Sequence, residues 1–173
     1  ATLKVLKARD KDALLAIWQP VFNKLFLSSE ITHFYFHGPD RLNILRVHAP
    51  ERNGDLIDRF TARAAGRTGK VASGIELGPL GTFTLRVVQP VIHEGSLLGY
   101  VELGKEVEDV LSKLHQNPEI ELATLIYKDK LSRTKWEAGM QMLGRDANWD
   151  YYENAVVIYA SKNFVAEEMI RYD

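Results

Sequence analysis

Several predicted strands of this chain alternate apolar residues with arginine, histidine or threonine, and these polar positions are the ones best suited to bind a ligand. Residues two apart on a β-strand share a face of the sheet, so Arg46 and His48 would lie opposite Leu45 and Val47. The same alternation on later strands, together with a neighbouring helix, gives one candidate ligand-binding set: Arg46, His48, Arg59, Glu76, Thr84, Arg86, Tyr100 and Glu102.

The chemistry of this set is that of a carboxylate receptor. The guanidinium fork of arginine donates two parallel hydrogen bonds to a carboxylate, which a lysine ammonium does not do. The set contains Arg46 and Arg86 but no lysine, and Glu76 or Glu102 is suited to hold an ammonium. We therefore predict a small carboxylate or amino-acid ligand. The same charges also fit internal ion pairs between the arginines and glutamates, and the sequence leaves that alternative open.

The polar face of the sheet is predicted to be enclosed. An antiparallel sheet often leaves one face in water, and such a face usually carries Lys, Glu, Ser and Gln. Here arginine, histidine, tyrosine and threonine take their place, and the helix predicted over 55–67 needs a surface for its apolar side. Covered polar groups need partners, either within the protein or on a ligand. We therefore expect Arg46 and Arg86 to be buried.

Other site chemistries find little support. The chain has no cysteine, which excludes a disulfide, a thiolate zinc site and a cysteine nucleophile. His33 and His37 share a strand, but their spacing with His48 fits no metal motif, so neither a metal nor a cofactor is predicted. Two alternatives to a ligand-binding domain stay open. One is a small hydrolase or isomerase that uses His48 with Glu76 or Glu102, and the other is a protein-interaction module without a small ligand.

Composition indicates an ordinary globular protein. Of the 173 residues, 46% are hydrophobic and 26% are charged, a balance that supports a packed core. The net charge of -1, without a long basic run, excludes the electrostatic footprint of a nucleic-acid-binding protein. No apolar stretch of about 18 residues is present. We therefore expect the chain to be soluble and any membrane segments to lie outside it.

Residue periodicity predicts an α+β fold. Apolar residues at three- and four-residue spacing predict helices over 3–27 (with a kink at Pro20), 55–67, 106–114, 133–143 and 164–171. Alternation and turn residues predict strands over 31–37, 43–48, 71–77, 82–91, 97–103, 119–127 and 156–160. Short connections make neighbouring strands antiparallel. We divide the chain into a module over 1–117 and a small C-terminal α/β extension over 118–173 that packs on the same domain.

Five longer segments carry a resemblance to a known family. They are HFYFHGPDRLNILRVHAPERNGDLIDRFT (33–61), SGIELGPLGTFTLRVVQP (73–90), LLGYVELGKEVEDVL (97–111), KLSRTKWEAGMQMLGRDANWD (130–150) and VVIYAS (156–161). These segments resemble the sensory Cache domains of bacterial chemoreceptors, sensor histidine kinases and diguanylate cyclases. The resemblance covers most of the chain.

The resemblance implies a fold and a cellular position. The fold is a PAS-like antiparallel sheet with the long N-terminal helix on one face. The chain would be the periplasmic domain of an inner-membrane receptor for chemotaxis or two-component signalling. The N-terminal helix would descend from the first membrane segment, and a homodimer would form through it. Many relatives have two complete PAS-like modules, whereas the tail after Pro118 is short for a second one.

The resemblance also implies where a ligand binds. A small molecule would lie between the central sheet and the helix and loops that cover it. The family's binding residues vary with the ligand, so only this location carries over, and the site residues remain those chosen from the strand faces. No catalytic residue is implied, although the output domain of a full-length receptor can be an enzyme.

Overall fold

The computed structural model describes residues 1–78, 80–114 and 122–161. They form two compact units. The first consists of residues 1–76 and 84–106, and the second of 77–83 and the described residues from 107 onwards. The predicted module boundary at 117/118 and the predicted helix over 164–171 lie outside the described residues and stay predictions.

The N-terminal segment forms two helices where one was predicted: α1 (Thr2–Lys7) and α2 (Lys11–Ser29). The break comes at Arg9, whose φ is 52°, a left-handed conformation that ends the first helix. Asp10 then caps the second helix, because its carboxylate accepts a hydrogen bond from the Ala13 N–H at 3.0 Å. Helix α2 continues through Pro20.

The first unit is built on a five-stranded sheet with the order β2-β1-β5-β4-β3. Its strands are β1 (His33–His37), β2 (Asn43–Arg46), β3 (Ala72–Leu77), β4 (Phe83–His93) and β5 (Ser96–Glu106). The pairs β1–β2 and β4–β5 are antiparallel, as predicted, and β1 also pairs antiparallel with β5. In this register Tyr35 lies between Arg46 on one side and Glu102 on the other. The sheet therefore places an aromatic ring between opposite charges.

One face of this sheet is apolar and packs against α2. Trp18 approaches Phe34 and Phe36 with ring centroids 5.5 Å apart in each case. Phe22 and Leu45 are buried in the same hydrophobic cluster. This agrees with the N-terminal helix on one face of the sheet that the resemblance implies.

The opposite face is covered by α3 (Phe60–Thr68). Thr61, Ala62 and Ala65 are each 0% exposed, and their small side chains let the helix lie close to the strands. The helix begins five residues after the predicted start because the residues before it form a loop held by side-chain contacts described below. Gly69 ends it with φ 64°, the left-handed conformation that glycine commonly adopts after a helix.

The second unit is a small α/β layer. Its elements are α4 (Val107–Leu114), β6 (Ala123–Tyr127), a 3₁₀ turn (Lys128–Lys130), α5 (Arg133–Met142) and β7 (Ala155–Ala160). Strands β6 and β7 pair antiparallel, and Trp136, Met140 and Val156 are buried at the centre of its core. The observed architecture agrees with the predicted α+β fold. Among the described residues, no helix combines the length and apolar character needed to span a bilayer.

Candidate functional site

The polar face of the sheet is enclosed, as predicted. Arg46 is 6% exposed and Arg86 is 1% exposed beneath α3 and the loop before it. The buried polar and aromatic residues on this face are His33, Tyr35, His37, Arg46, Thr84, Arg86, Tyr100, Glu102 and Glu106. Buried charged groups need partners because they have lost their contacts with water. The partner of each charged side chain therefore decides whether it is available to a ligand.

Glu102 is the centre of the charged network. Its Oε1 accepts hydrogen bonds from Arg86 Nη1 at 2.6 Å and from Arg59 Nη1. Arg59 also donates to the hydroxyl of Tyr35 at 3.3 Å. Arg86 Nη2 donates to Thr84 Oγ1 at 3.3 Å. Gly104 lies beside Arg86 in the register, and a Cβ there would come within 2.9 Å of the Thr84 methyl group. The glycine therefore leaves room for this network.

Three guanidinium groups surround the ring of Tyr35. Their central carbons lie 4.9 Å (Arg59), 5.3 Å (Arg46) and 5.9 Å (Arg86) from the ring centroid. Arginine is attracted to the negative face of an aromatic ring, more strongly where water is excluded. Tyr35 thus stabilises a concentration of positive charge that Glu102 alone does not neutralise.

Arg46 is paired within the protein. Its two terminal nitrogens each donate to a carboxylate oxygen of Asp55 at 2.7 Å, and one also donates to the backbone oxygen of Arg52 at 2.6 Å. The Arg46 guanidinium lowers the pKa of Asp55 to about 2. These bonds hold the loop before α3 against the sheet. Of the two alternatives left open by the sequence, Arg46 therefore takes the internal ion pair in this conformation.

Three histidines on this face are neutral at pH 7. Burial lowers the pKa of His37 to about 3 and that of His48 to about 4. Burial also lowers the pKa of His33 well below its usual value. His48 is fixed by its Nδ1, which accepts a hydrogen bond from the Phe34 N–H at 3.1 Å. The positive charge of the site therefore comes from arginine alone.

Two of the sequence-predicted site residues stand apart from this network. Glu76 accepts hydrogen bonds from the N–H and the hydroxyl of Thr61, both at 2.9 Å, and so binds the start of α3. Tyr100 packs with Ala65 and Val88 beneath the same helix. The reason is the strand order, because Glu76 lies on the edge strand β3, which is separated from β1 by two strands.

The structure brings together Arg59, Thr84, Arg86 and Glu102, with Arg46 and His48 at the rim of Tyr35. Sequence reasoning did not include His33, Tyr35, His37, Asp55 and Glu106 in the ligand-binding set. The alternation in HFYFH was a usable signal for three of them, since positions 33, 35 and 37 share a face. Nothing in the sequence marked Asp55 as the partner of Arg46.

Several buried polar atoms in the network have no hydrogen-bond partner among the residues that the structure describes. They are Arg86 Nε, both ring nitrogens of His37 and Glu102 Oε2. His37 Nε2 lies 3.3 Å from Glu102 Oε2 but without hydrogen-bond geometry. Most buried polar atoms in folded proteins are paired, so this local group of unpaired donors and acceptors distinguishes the network from an ordinary internal ion pair.

The described residues of this face contain neither a group of metal-ligating side chains nor the histidine–glutamate pair considered for acid–base catalysis. Within residues 1–78, 80–114 and 122–161 there is no group of three or more side chains that would hold a metal ion. In the same residues no hydrogen bond or ion pair joins His48 to Glu76 or Glu102. The catalytic dyad considered from the sequence is therefore not formed.

A comparison with protein families decides the class of this domain. Residues 1–155 match the model of the double sensory domain of two-component sensor kinases, dCache_3. The chain belongs to this family. It is a sensory domain and not an enzyme, and the resemblance to Cache domains seen in the sequence is confirmed. A search of curated proteins found no significant match.

Solved structures similar to this chain are sensor domains. A domain of a putative sensory box/GGDEF family protein from Vibrio parahaemolyticus is 17% identical with a TM-score of 0.53, over 72% of this chain and 54% of that one. The V. cholerae histidine kinase DctB sensor domain is 15% identical with a TM-score of 0.53, over 72% and 49%. The Campylobacter jejuni chemoreceptor Tlp3 sensory domain with isoleucine bound is 15% identical with a TM-score of 0.48, over 73% and 64%. The chain thus spans between 49% and 64% of these domains. The likeness to the first two supports the fold.

Proposed function

We propose that this sensory domain binds a small amino-acid-like carboxylate in the buried network between the sheet and α3. The observation that carries the proposal is the group of unpaired polar atoms around Arg86 and Glu102. In this proposal Arg59, Arg86 and Glu102 contact the ligand, and Thr84, Arg46 and His48 line the site. Glu76 and Tyr100 act by holding α3 above it.

The unpaired atoms match the two ends of an amino acid. Arg86 Nε is a donor suited to a carboxylate oxygen, and Glu102 Oε2 is an acceptor suited to an ammonium group. Both belong to residues that are 1% exposed or less, so a ligand group that replaced water there would form strong, desolvated bonds.

The charge count favours a zwitterion over a simple carboxylate. Among the described residues of the network, the three arginines Arg46, Arg59 and Arg86 face the three carboxylates Asp55, Glu102 and Glu106. The histidines are neutral and do not change this balance. A zwitterionic ligand preserves it, whereas a ligand with a single negative charge adds a buried charge without a partner.

The proposal is tested by binding assays on variants of Arg86. Amino acids and simple carboxylates are screened by thermal shift, and affinities for the best ligand are measured by calorimetry. Arg86→Ala is expected to remove a charge-assisted hydrogen bond worth about 1.5–3 kcal/mol and to weaken binding about tenfold or more. Arg86→Lys keeps the positive charge beside Glu102 but lacks the Nε–H donor, so it is also expected to weaken binding.

The matched control is Arg9→Lys, because Arg9 makes an exposed ion pair with Asp40 outside the network. It is expected to leave the affinity unchanged. If both Arg86 variants fold and bind every ligand as tightly as the wild-type protein, the site is not where we propose it.

We further infer that the domain acts outside the cytoplasmic membrane, as the periplasmic part of an inner-membrane receptor, and that it pairs through the N-terminal helices. The family match supports a receptor context. Helix α2 exposes Ile17 (37%) and Val21 (39%), four residues apart on one stripe, which would suit a helix–helix contact. Sedimentation of the wild-type chain and of Ile17→Lys tests the pairing. A monomer of the wild-type chain at all concentrations would contradict it.

A further inference from the structure

A second concave surface lies on the first unit, outside the buried network. It is an open pocket of about 650 Å³ bordered by α3 and by the turn between β1 and β2. The residues of this pocket that carry the argument are Arg41, Phe60, Arg63, Gly66, Arg67 and Tyr100. None of the charged ones belongs to the candidate set derived from the strand faces.

One side of the pocket is formed by residues on a single stripe of α3. Phe60, Arg63 and Arg67 follow one another at three- and four-residue spacing, so they form a single stripe on the helix. Arg41 faces this stripe from the turn between the strands. Its φ of 63° is unusual for a residue with a side chain, and its N–H is held by the Gly38 oxygen at 2.9 Å. Three guanidinium groups therefore border one pocket.

The positive charge of this pocket exceeds its negative charge. Asp58 accepts a hydrogen bond from Arg41 at 3.3 Å and lies 3.8 Å from Arg63, so one carboxylate faces two guanidinium groups. Arg67 makes no ion pair with any residue that the structure describes. Its position in the last turn of α3 is favourable for the helix dipole, but that effect does not explain the other two arginines. Two positive charges remain available to a ligand.

A hydroxyl group and an aromatic ring complete the pocket. The Tyr100 hydroxyl lies beneath Gly66, where a Cβ would come within 3.1 Å of it, and Tyr100 is 2% exposed, so this residue forms the floor of the pocket. Phe60 is 62% exposed and forms an apolar wall beside the arginines. An exposed aromatic ring next to guanidinium groups is suited to a planar organic anion.

We propose that this pocket is a second ligand site, which takes a small organic dianion with a planar or aromatic body. The two uncompensated charges set the charge of the ligand, and Phe60 sets its apolar part. The charged group is a phosphate or a pair of carboxylates, since arginine binds both. This site does not depend on the buried network, and either proposal can fail without the other.

The test is calorimetric titration of the purified chain with phenyl phosphate and with phthalate. Both probes are expected to bind, and the stronger one identifies the preferred anion. Arg67→Ala is expected to weaken binding about fivefold, as for an exposed charged contact, and binding is expected to weaken as NaCl rises from about 50 to about 500 mM. The control Lys24→Ala removes one exposed positive charge on α2 and is expected to leave the affinity unchanged.

The aromatic wall is tested separately. Phe60→Ala is expected to weaken phenyl phosphate binding but not that of inorganic phosphate, which has no ring. Arg86→Lys is expected to leave phenyl phosphate binding unchanged, which separates this site from the buried one. The proposal is overturned if neither probe binds, or if Arg67→Ala and Lys24→Ala have the same effect on affinity.

Discussion

Replacement of Glu102 by alanine is expected to destabilise the first unit by about 3–5 kcal/mol. Glu102 is 0% exposed and accepts hydrogen bonds from both Arg86 and Arg59. Without it, the guanidinium of Arg86, which is 1% exposed, would remain buried without the carboxylate to which it donates a hydrogen bond. The free energy of unfolding from urea titrations, followed by fluorescence and circular dichroism, measures the effect.

Two further variants show whether the loss comes from an unpaired charge. Glu94→Ala removes an exposed carboxylate whose side chain is 86% accessible, and it is expected to change stability by less than about 0.5 kcal/mol. The double variant Glu102→Met with Arg86→Met removes both buried charges and is expected to be more stable than Glu102→Ala alone. A loss of less than about 1 kcal/mol for Glu102→Ala would show that the network is open to water.

Mild acid is expected to destabilise the protein through its buried histidines. Burial lowers the pKa of His37 to about 3 and of His48 to about 4 in the folded state, and it lowers that of His33 as well. The unfolded chain takes up these protons near the usual pKa of about 6.5. Stability is therefore complete above pH 6.5 and falls as the pH decreases towards 4. Each histidine contributes up to about 1.4 kcal/mol per pH unit in that window.

Urea titrations between pH 7.5 and 4.5 measure this slope. His37→Leu is expected to make it shallower, because it removes one group that takes up a proton when the chain unfolds. Among the described residues neither ring nitrogen of His37 has a hydrogen bond to lose, so the substitution itself breaks none. His93→Ala is the control, because that side chain is 51% accessible, and it is expected to keep the wild-type slope. A free energy of unfolding that is constant over this pH range would contradict the burial of neutral histidines. The Asp55 carboxylate, with a pKa of about 2, adds its own loss only at more acidic pH.

The groups proposed to bind the ligand differ from the groups whose protonation changes the stability of the protein. The histidines stay neutral at physiological pH, and Arg59 and Arg86 both donate hydrogen bonds to Glu102. A ligand in this place would meet histidines whose charge does not change near pH 7. Sensing through this site is therefore expected to be insensitive to pH between about 6.5 and 8.

The sequence alone determined which residues share a face. Strand alternation placed Arg46, Arg86 and Glu102 on one side of the sheet, and the structure buries all three there. It also indicated that the helix predicted over 55–67 packs on this side, and α3 does so. These inferences succeeded because the period of a strand or a helix is a local property of the backbone.

The tertiary structure decided which charge pairs with which. Arg46 binds Asp55 because an irregular loop folds back onto β2. A loop has no residue periodicity, so its sequence does not predict which side chains it brings together. Glu76 binds Thr61 and not an arginine because the strand order puts β3 at the edge of the sheet. The N-terminal helix breaks at Arg9, whose φ is 52°, and the Asp10 carboxylate caps the helix that follows. A face of a strand is set by neighbours in sequence, whereas an ion pair is set by residues that meet only when the chain has folded.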